Sequence, residues 1–119
     1  MPELPEVETS KRYIKKFLLN AKIINIQSRV PKLRWKINPD LKKIFNNTII
    51  LKIYRIGKYI LMKTSNNNTL ILHLGMSGFL SISELNFIKK KHDHIILTFL
   101  GINGEQKCLI LTTKEDLAT

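Results

Sequence analysis

The feature that most constrains the fold of this 119-residue chain is a succession of short strand-like segments after residue 20. Each segment is rich in β-branched, aliphatic or aromatic residues, and clusters of Gly, Asn and Ser separate several of them. The segments are Lys22–Val30, Asn47–Ile56, Lys58–Thr64, Thr69–Leu74, Phe79–Ser83, His94–Leu100 and Gln106–Thr112. Short strands that follow one another without intervening long helices pair antiparallel. We therefore predict a mainly β fold, an antiparallel sandwich or barrel of about seven to eight strands.

An N-terminal α-helix is expected to precede these strands. Pro5 suits the first position of a helix, where its missing N–H costs no hydrogen bond, and Glu6 and Glu8 favour the positive end of the helix dipole. Apolar residues then recur with helical spacing at Leu4, Val7, Ile14, Phe17 and Leu18. We expect this helix to end near Asn20 and a second, one-turn helix to form at Leu41–Phe45.

Composition places residues 1–119 in one globular domain. Hydrophobic residues make up 44% and charged residues 24% of the chain, which excludes wholesale disorder. No apolar run approaches the roughly 20 residues of a membrane-spanning helix, so we expect no membrane association. The one cysteine, Cys108, excludes an internal disulfide and fits a reducing compartment. One cysteine and three histidines also argue against a zinc finger or zinc ribbon.

The distribution of charge indicates a polyanionic partner. The chain carries 20 Lys or Arg against 9 Asp or Glu, a net charge of +11. Residues 1–8 hold three glutamates and no cation, whereas residues 9–83 hold fifteen cations and one acid, Asp40. Such a block produces a sustained positive field that attracts nucleic acid. The alternative is a merely Lys-, Asn- and Ile-rich composition, but the segregation of the acids favours nucleic acid.

The opening residues Met1-Pro2-Glu3 offer a nucleophile. A small residue at position 2 permits removal of the initiator methionine, which would leave Pro2 with a free secondary amine. Such an amine can attack a carbonyl carbon and form an iminium, and a terminal amine is unprotonated far more often at neutral pH than a lysine. The neighbouring Glu3 is placed to move protons. The alternative is that this segment only starts the helix.

Four segments carry a resemblance to one family. Pro2–Ser10 resembles the N-terminal signature of bacterial formamidopyrimidine-DNA glycosylases, which are repair enzymes for oxidised purines. Arg55–Leu61 resembles the strand that bears the family's catalytic lysine, His73–Gly78 is similar to its second signature, and Lys91–His94 resembles its third. The order and spacing of the segments also agree. The resemblance implies a β-sandwich with the catalytic helix at its edge.

The resemblance implies three catalytic residues. Pro2 would attack the sugar C1′, displace the damaged base and form a Schiff base, and Glu3 would protonate the opening sugar ring. Lys58 would touch the phosphate near the lesion and assist β-elimination, since a compact ammonium suits a phosphate. Considered without the family, Lys58 is an ordinary exposed lysine that opens a strand after Gly57.

The resemblance also implies three DNA-binding residues. Met76 would fill the gap left by an extruded base, as wedge side chains do, although a methionine more commonly fills a core. His92 would contact a DNA phosphate, and Glu6 would help to place water or the lesion. The run Lys89–Lys91 is expected to form a solvated loop, with contact to the DNA backbone as the alternative.

The paired histidines raise the question of a metal. His92 and His94 alternate on the predicted strand, so they would share one face while Asp93 takes the other. Two histidines can begin a metal site, but no convincing third and fourth ligands accompany them in the sequence. We therefore expect no metal.

The chain departs from the family towards its C-terminus. The family continues with an Asp-Pro-Arg-Arg-Phe-Gly loop, whereas this chain has Leu109–Asp116 in that region, without the functional residues of the loop. The sequence ends at Thr119, so we expect the family's helix–two-turn–helix and zinc-finger domains to be absent, and with them any cofactor.

Two functions are consistent with these observations. The first is a DNA glycosylase and AP lyase that removes oxidised purines, formamidopyrimidine and 8-oxoguanine, from damaged double-stranded DNA. It would act as a monomer in the bacterial cytoplasm, associated with the nucleoid. The second is a truncated, catalytically impaired remnant that only binds DNA electrostatically.

Overall fold

The computed structural model describes residues 4–30, 37–75 and 77–114. Pro2, Glu3 and Met76, three of the site residues predicted above, lie outside these ranges. The elements in chain order are α1 (Leu4–Leu18), β1 (Lys22–Ser28), α2 (Leu41–Phe45), β2 (Ile50–Ile56), β3 (Tyr59–Thr64), β4 (Thr69–His73), β5 (Phe79–Ser83), β6 (Asp93–Leu100) and β7 (Gln106–Thr112).

The strands form two antiparallel sheets, which confirms the predicted mainly β fold with an N-terminal helix. One sheet has four strands in the order β1-β6-β7-β5, and the other has three in the order β2-β3-β4. The buried face of each sheet contributes to one shared hydrophobic core, so the fold is a sandwich rather than a barrel. In β3 and β4 the buried and accessible residues alternate, as expected for strands with one face on a core.

Helix α1 closes one side of the sandwich with an apolar stripe. Val7, Ile14 and Leu18 are buried at helical spacing and belong to the shared core. The helix contacts β2, β3 and β5, so it touches strands of both sheets. These contacts fix the position of α1 relative to the β2–β3 hairpin.

Two asparagines in left-handed backbone conformations set the boundaries of neighbouring elements. Asn20, at φ 65°, follows the end of α1, as predicted. Asn47, at φ 67°, lies in a turn, and its N–H donates to the carbonyl of Ile23. The strand predicted to begin at Asn47 therefore begins only at Ile50, since a left-handed residue cannot continue a β-ladder.

The four-stranded sheet also carries a small cluster on its other face. Ile96, Cys108 and Ile110 are buried there, and the half-buried Phe87 of the β5–β6 connection packs against them. The thiol of Cys108 lies 3.6 Å from the Thr98 hydroxyl. Strand β6 is therefore covered on both faces over most of its length.

Neither helix in the described ranges combines the length and the apolar character that a membrane-spanning helix needs.

Candidate functional site

Lys58 lies in the two-residue turn that joins β2 to β3. Ile56 pairs with Tyr59 across the hairpin, so Gly57 and Lys58 form the loop itself. Gly57 adopts φ 59°, a left-handed conformation that glycine reaches without a steric penalty. The expectation that Lys58 opens the strand is therefore wrong by one residue, because β3 begins at Tyr59. The turn presents Lys58 at the end of the three-stranded sheet.

A cluster of charges on α1 lies next to this hairpin. The helix begins at Leu4, one residue before the predicted start, and Glu6 is exposed in its first turn. Glu8, two residues further along, accepts bonds from the Arg55 Nε, the Lys11 Nζ and the Arg12 Nε, each at 2.9 Å. Hydrogen bonds from Arg55 and Lys11 are the main causes that hold the pKa of Glu8 at about 2.

The same arginine also reaches the turn. Arg55 belongs to β2 and donates from Nε to the Glu8 carboxylate, while its Nη1 donates to the carbonyl oxygen of Gly57 at 2.8 Å. One guanidinium therefore links the N-terminal helix to the peptide that precedes Lys58. Glu8 and Arg55 are 47 residues apart, so no local sequence pattern indicates this link.

A histidine that the sequence analysis did not single out lies beside the turn. His73 pairs with Tyr59 across β3 and β4, and the centroids of the two rings are 4.9 Å apart. Its Nδ1 accepts a hydrogen bond from the Gly75 N–H at 3.1 Å, so the neutral ring carries its proton on Nε2. The first residue of the second signature is the only sequence signal that points to it.

The second signature forms a tight turn after β4. Gly75 adopts φ 67°, and the N–H of Gly78 donates to the Leu74 carbonyl at 2.7 Å. The Ser77 hydroxyl lies 3.3 Å from that of Thr113 and accepts a bond from the Lys114 N–H at 3.1 Å. The turn that contains position 76 is thus fastened to the end of β7, although Met76 itself is outside the described residues.

The third signature begins in a turn and continues into β6. The prediction that His92 lies on a strand is wrong, because β6 begins at Asp93. Asp93 is buried and fixes the turn: its carboxylate accepts the Lys90 N–H at 2.9 Å and the Thr112 hydroxyl at 2.8 Å. From the other side, Arg29 donates to the carbonyls of Lys90 and Asp93. These hydrogen bonds therefore hold the backbone next to His92 in place.

The two histidines of this signature have different environments. The rings of His92 and His94 are 6.0 Å apart, but His94 is buried and His92 only partly so. Within the described part of the chain, Nε2 of His94 is buried without a hydrogen-bond partner. Burial is the main cause that lowers the pKa of His94, which favours its neutral form.

An open groove brings the second and third signatures together. It has a volume of about 750 Å³ and lies along β5 and the end of β7. Phe79, which is half exposed, and Ser77 belong to the lining. The lining also contains three lysines, Lys90, Lys91 and Lys114, together with His92. Asp93 is the one acid in the lining, and its carboxylate already accepts hydrogen bonds from the Lys90 N–H and the Thr112 hydroxyl. The groove therefore suits an anion that also offers an apolar or ring surface.

The described residues contain no group of three or more His, Cys, Asp or Glu side chains that could hold a metal ion. In particular, His92 and His94 have no further ligand beside them in the ranges 4–30, 37–75 and 77–114.

Comparison with known proteins gives the context for this arrangement. The family model described as the formamidopyrimidine-DNA glycosylase N-terminal domain matches residues 1–114. The chain belongs to this family. Formamidopyrimidine-DNA glycosylases with similar sequences include that of Psychromonas ingrahamii, 48% identical over 99 residues, which are 83% of this chain and 36% of the relative. Another, from Rickettsia bellii, is 41% identical over 114 residues, 96% of this chain and 41% of the relative.

Solved structures of formamidopyrimidine-DNA glycosylases share the fold. The Lactococcus lactis enzyme in complex with DNA containing FAPY-dG is 34% identical, with a TM-score of 0.81 over 92% of this chain and 40% of that one. The same enzyme with DNA containing an abasic site gives a TM-score of 0.83 at 33% identity, over 95% of this chain and 40% of that one. The chain thus spans about two-fifths of the length of these relatives.

The three family signatures within the described ranges occupy both sheets. Lys58 and His73 lie at one end of the three-stranded sheet, next to α1 through the Glu8–Arg55 pair. His92 precedes β6 of the four-stranded sheet and lines the same groove as Ser77. Glu6 is exposed on the first turn of α1. The structure therefore describes where Lys58, Glu6 and His92 lie, while their chemical roles remain predictions.

Proposed function

We propose that this chain is the catalytic N-terminal domain of a DNA glycosylase and AP lyase of base-excision repair. Its substrate would be double-stranded DNA that contains oxidised purines, formamidopyrimidine or 8-oxoguanine. The observation that carries this proposal is the link between α1 and the Lys58 turn through Glu8 and Arg55. This link ties the helix that begins two residues after Pro2 to the lysine of the family's catalytic strand.

The proposed chemistry starts at Pro2 after removal of Met1. The damaged purine leaves the base stack. The Pro2 nitrogen forms a bond to the sugar C1′ while the bond from C1′ to the base breaks, and the N–H proton of the amine passes through solvent to the departing base. Glu3 protonates the ring oxygen as the sugar opens to the iminium. The resulting iminium acidifies the proton on the adjacent sugar carbon. Loss of that proton expels the 3′ phosphate and breaks the strand, with Lys58 holding the phosphate.

Binding in this proposal depends on charge and on the groove. Fifteen cations against one acid within residues 9–83 attract the phosphate backbone. His92 and the lysines beside it would contact phosphates at the groove, Met76 would fill the space of the extruded base, and Glu6 would help to place water or the lesion. The chemistry needs no cofactor, and a monomer in the bacterial cytoplasm, beside the nucleoid, suffices for it.

Borohydride trapping tests this proposal directly. The chain would be incubated with a duplex that carries 8-oxoguanine and with a duplex that carries an abasic site, and borohydride would reduce any imine to a stable adduct. We expect an adduct with both duplexes, and we expect it to disappear when the terminal amine is chemically blocked. An adduct with the abasic duplex alone would retain the lyase and exclude the glycosylase.

A DNA-binding remnant is the second candidate, and one observation favours it. Leu109 and Leu111 lie buried in β7, so the first half of the segment that was expected to depart from the family is part of the core and offers no loop residues to DNA. In this case DNA binding would weaken strongly with salt, but no adduct would form with either duplex. Folded protein with Met1 removed must be used, so that a blocked terminus is not mistaken for inactivity.

A further inference from the structure

The orientation of a single peptide group decides where the Lys58 side chain begins. In two-residue hairpin turns, type I′ needs positive φ at both central residues, whereas type II′ needs it only at the first. Gly57 has φ 59°, and Lys58 is not among the described residues with positive φ, which is the type II′ pattern. The two types differ in the direction of the central peptide, which here joins Gly57 to Lys58. Whatever holds its carbonyl oxygen therefore selects the direction of Lys58.

Arg55 holds that oxygen. Its Nη1 donates to the Gly57 carbonyl at 2.8 Å, and its Nε donates to Glu8 Oε1 at 2.9 Å. A guanidinium has five donors in a planar fork, so the two bonds together fix both the plane and the position of the group. The Gly57–Lys58 peptide is thereby held in a fixed position relative to α1.

Glu8 provides a lasting negative partner for this guanidinium. The carboxylate also accepts Lys11 and Arg12, and with Arg55 these donors keep the pKa of Glu8 at about 2, so the group is charged at neutral pH. Side chains of Glu8 and Arg55 are 24% and 29% exposed, and such partly exposed pairs contribute little to folding stability. A misplacement of about 1 Å in an active site, by contrast, can cost about 100-fold in rate.

We propose that Arg55 is a positioning residue, which together with Glu8 sets the Gly57–Lys58 peptide, and thus the Lys58 ammonium, relative to the N-terminal helix. This inference rests on the proposed function, in which Lys58 must hold a phosphate while the Pro2 amine holds the sugar. It predicts that loss of the link lowers the rate of strand cleavage and leaves the affinity for the duplex nearly unchanged.

The test uses an abasic duplex and the variants Arg55→Gln, Arg55→Lys, Glu8→Gln and Arg12→Gln. Arg12→Gln is the matched control, because Arg12 bonds to Glu8 at the same distance but its side chain is 75% exposed and, within the described part of the chain, does not bond to the turn. Duplex affinity, the single-turnover cleavage rate at saturating protein and the borohydride adduct would be measured for each. The amide signal of Lys58 in a nitrogen–proton NMR spectrum would report the turn itself.

We expect Arg55→Gln and Glu8→Gln each to cleave about 10- to 100-fold more slowly, with less than about threefold loss of affinity. Arg55→Lys should recover part of the rate because it keeps the charge beside Glu8 but not the fork. Arg12→Gln should stay within about twofold of the parent chain, since a surface ion pair contributes little. The Lys58 amide signal should move in the first two variants and not in Arg12→Gln.

Several outcomes would overturn the inference. Equal rates in Arg55→Gln and Arg12→Gln would remove the positioning role, and so would a loss of affinity without a loss of rate, which would mean that Arg55 contacts DNA. If Arg55→Gln does not fold, as judged by circular dichroism, Glu8→Gln decides, because it breaks the same link from the helix. No adduct from the unsubstituted chain would instead reject the proposed function, and this inference with it.

Discussion

The turn at Gly57 and the turn at Gly78 each require glycine, but for opposite reasons. A Cβ at Gly57 would meet nothing within 4 Å, and the residue is constrained only by its φ of +59°. A Cβ at Gly78 would lie 2.0 Å from the carbonyl oxygen of Leu74, which is backbone and has little freedom to move. At Gly57 the requirement comes from backbone conformation, whereas at Gly78 it comes from the lack of space beside Leu74.

This difference separates the parts of the site that can adjust from those that cannot. The Gly57–Lys58 turn is held by long, partly exposed side chains, so its geometry can change while the fold persists. The Gly75–Gly78 turn is held by backbone contact and by the Ser77–Thr113 pair at the end of β7. Changes at the second turn should therefore appear first in stability, and changes at the first turn in activity.

The largest effect is expected from Gly78→Ala. The added methyl group forces the turn away from Leu74, and we expect a loss of about 3 kcal/mol in the free energy of unfolding. Urea denaturation followed by tryptophan fluorescence measures it. A loss below about 1 kcal/mol would mean that this turn rearranges freely, and the contrast between the two turns would then fail.

A smaller effect is expected from Gly57→Ala. Only the left-handed backbone opposes the new methyl group, so the loss should be about 1 kcal/mol. Gly57→Asn is the matched control, because asparagine tolerates this conformation and should lose less. The same denaturation experiment applies. Equal losses for alanine and asparagine would show that backbone conformation is not what requires glycine here.

Mild acid should act on the third signature, at the start of β6, through His94. Burial lowers the pKa of His94 in the folded chain below its ordinary value of 6.5, so the unfolded chain binds the proton more readily. Stability is therefore full above pH 6.5 and falls as the pH drops from there towards the lower pKa of the folded state. Thermal melts across this range should lose that slope in His94→Gln; a slope that persists would assign it to another group.

Strong acid should act on the first turn through Glu8, with the smallest effect on stability. The pKa of Glu8 is about 2 in the folded chain against an ordinary 4.5, so its contribution is complete above pH 4.5 and is lost as the pH falls towards 2. Between pH 4.5 and 2, the free energy of unfolding of Glu8→Gln should depend less on pH than that of the parent chain. An unchanged slope would mean that the ion cluster does not distinguish folded from unfolded protein.

The sequence was sufficient for the fold where the pattern is local. Strands Phe79–Ser83 and Gln106–Thr112 have the predicted bounds, because turn residues mark their ends and their apolar residues face a core. The bounds of the hairpin at Gly57–Lys58 were harder to predict from the sequence, since apolar residues continue on both sides of a single glycine. The predicted start at Lys58 followed from that continuity.

The site could be predicted only as far as its motifs extend along the chain. The family signatures indicated Lys58 and His92, but nothing local connects Glu8 to Arg55 or Arg29 to the carbonyls of Lys90 and Asp93. These contacts arise from the packing of α1 and β1 against distant elements. The burial of Asp93 and His94 has the same origin, because their cover is supplied by β7 and its neighbours.

The buried thiol of Cys108, in the cluster that Phe87 packs against, can be used to measure local opening of the structure. Cys108 is the one sulfhydryl in the chain and is 3% exposed in the small cluster on the four-stranded sheet. A thiol reagent can reach it only when the connection that bears Phe87 lifts or the chain unfolds. The rate of labelling therefore reports how often the connection that bears Phe87 separates from the four-stranded sheet or the whole chain unfolds, without any added dye or engineered residue.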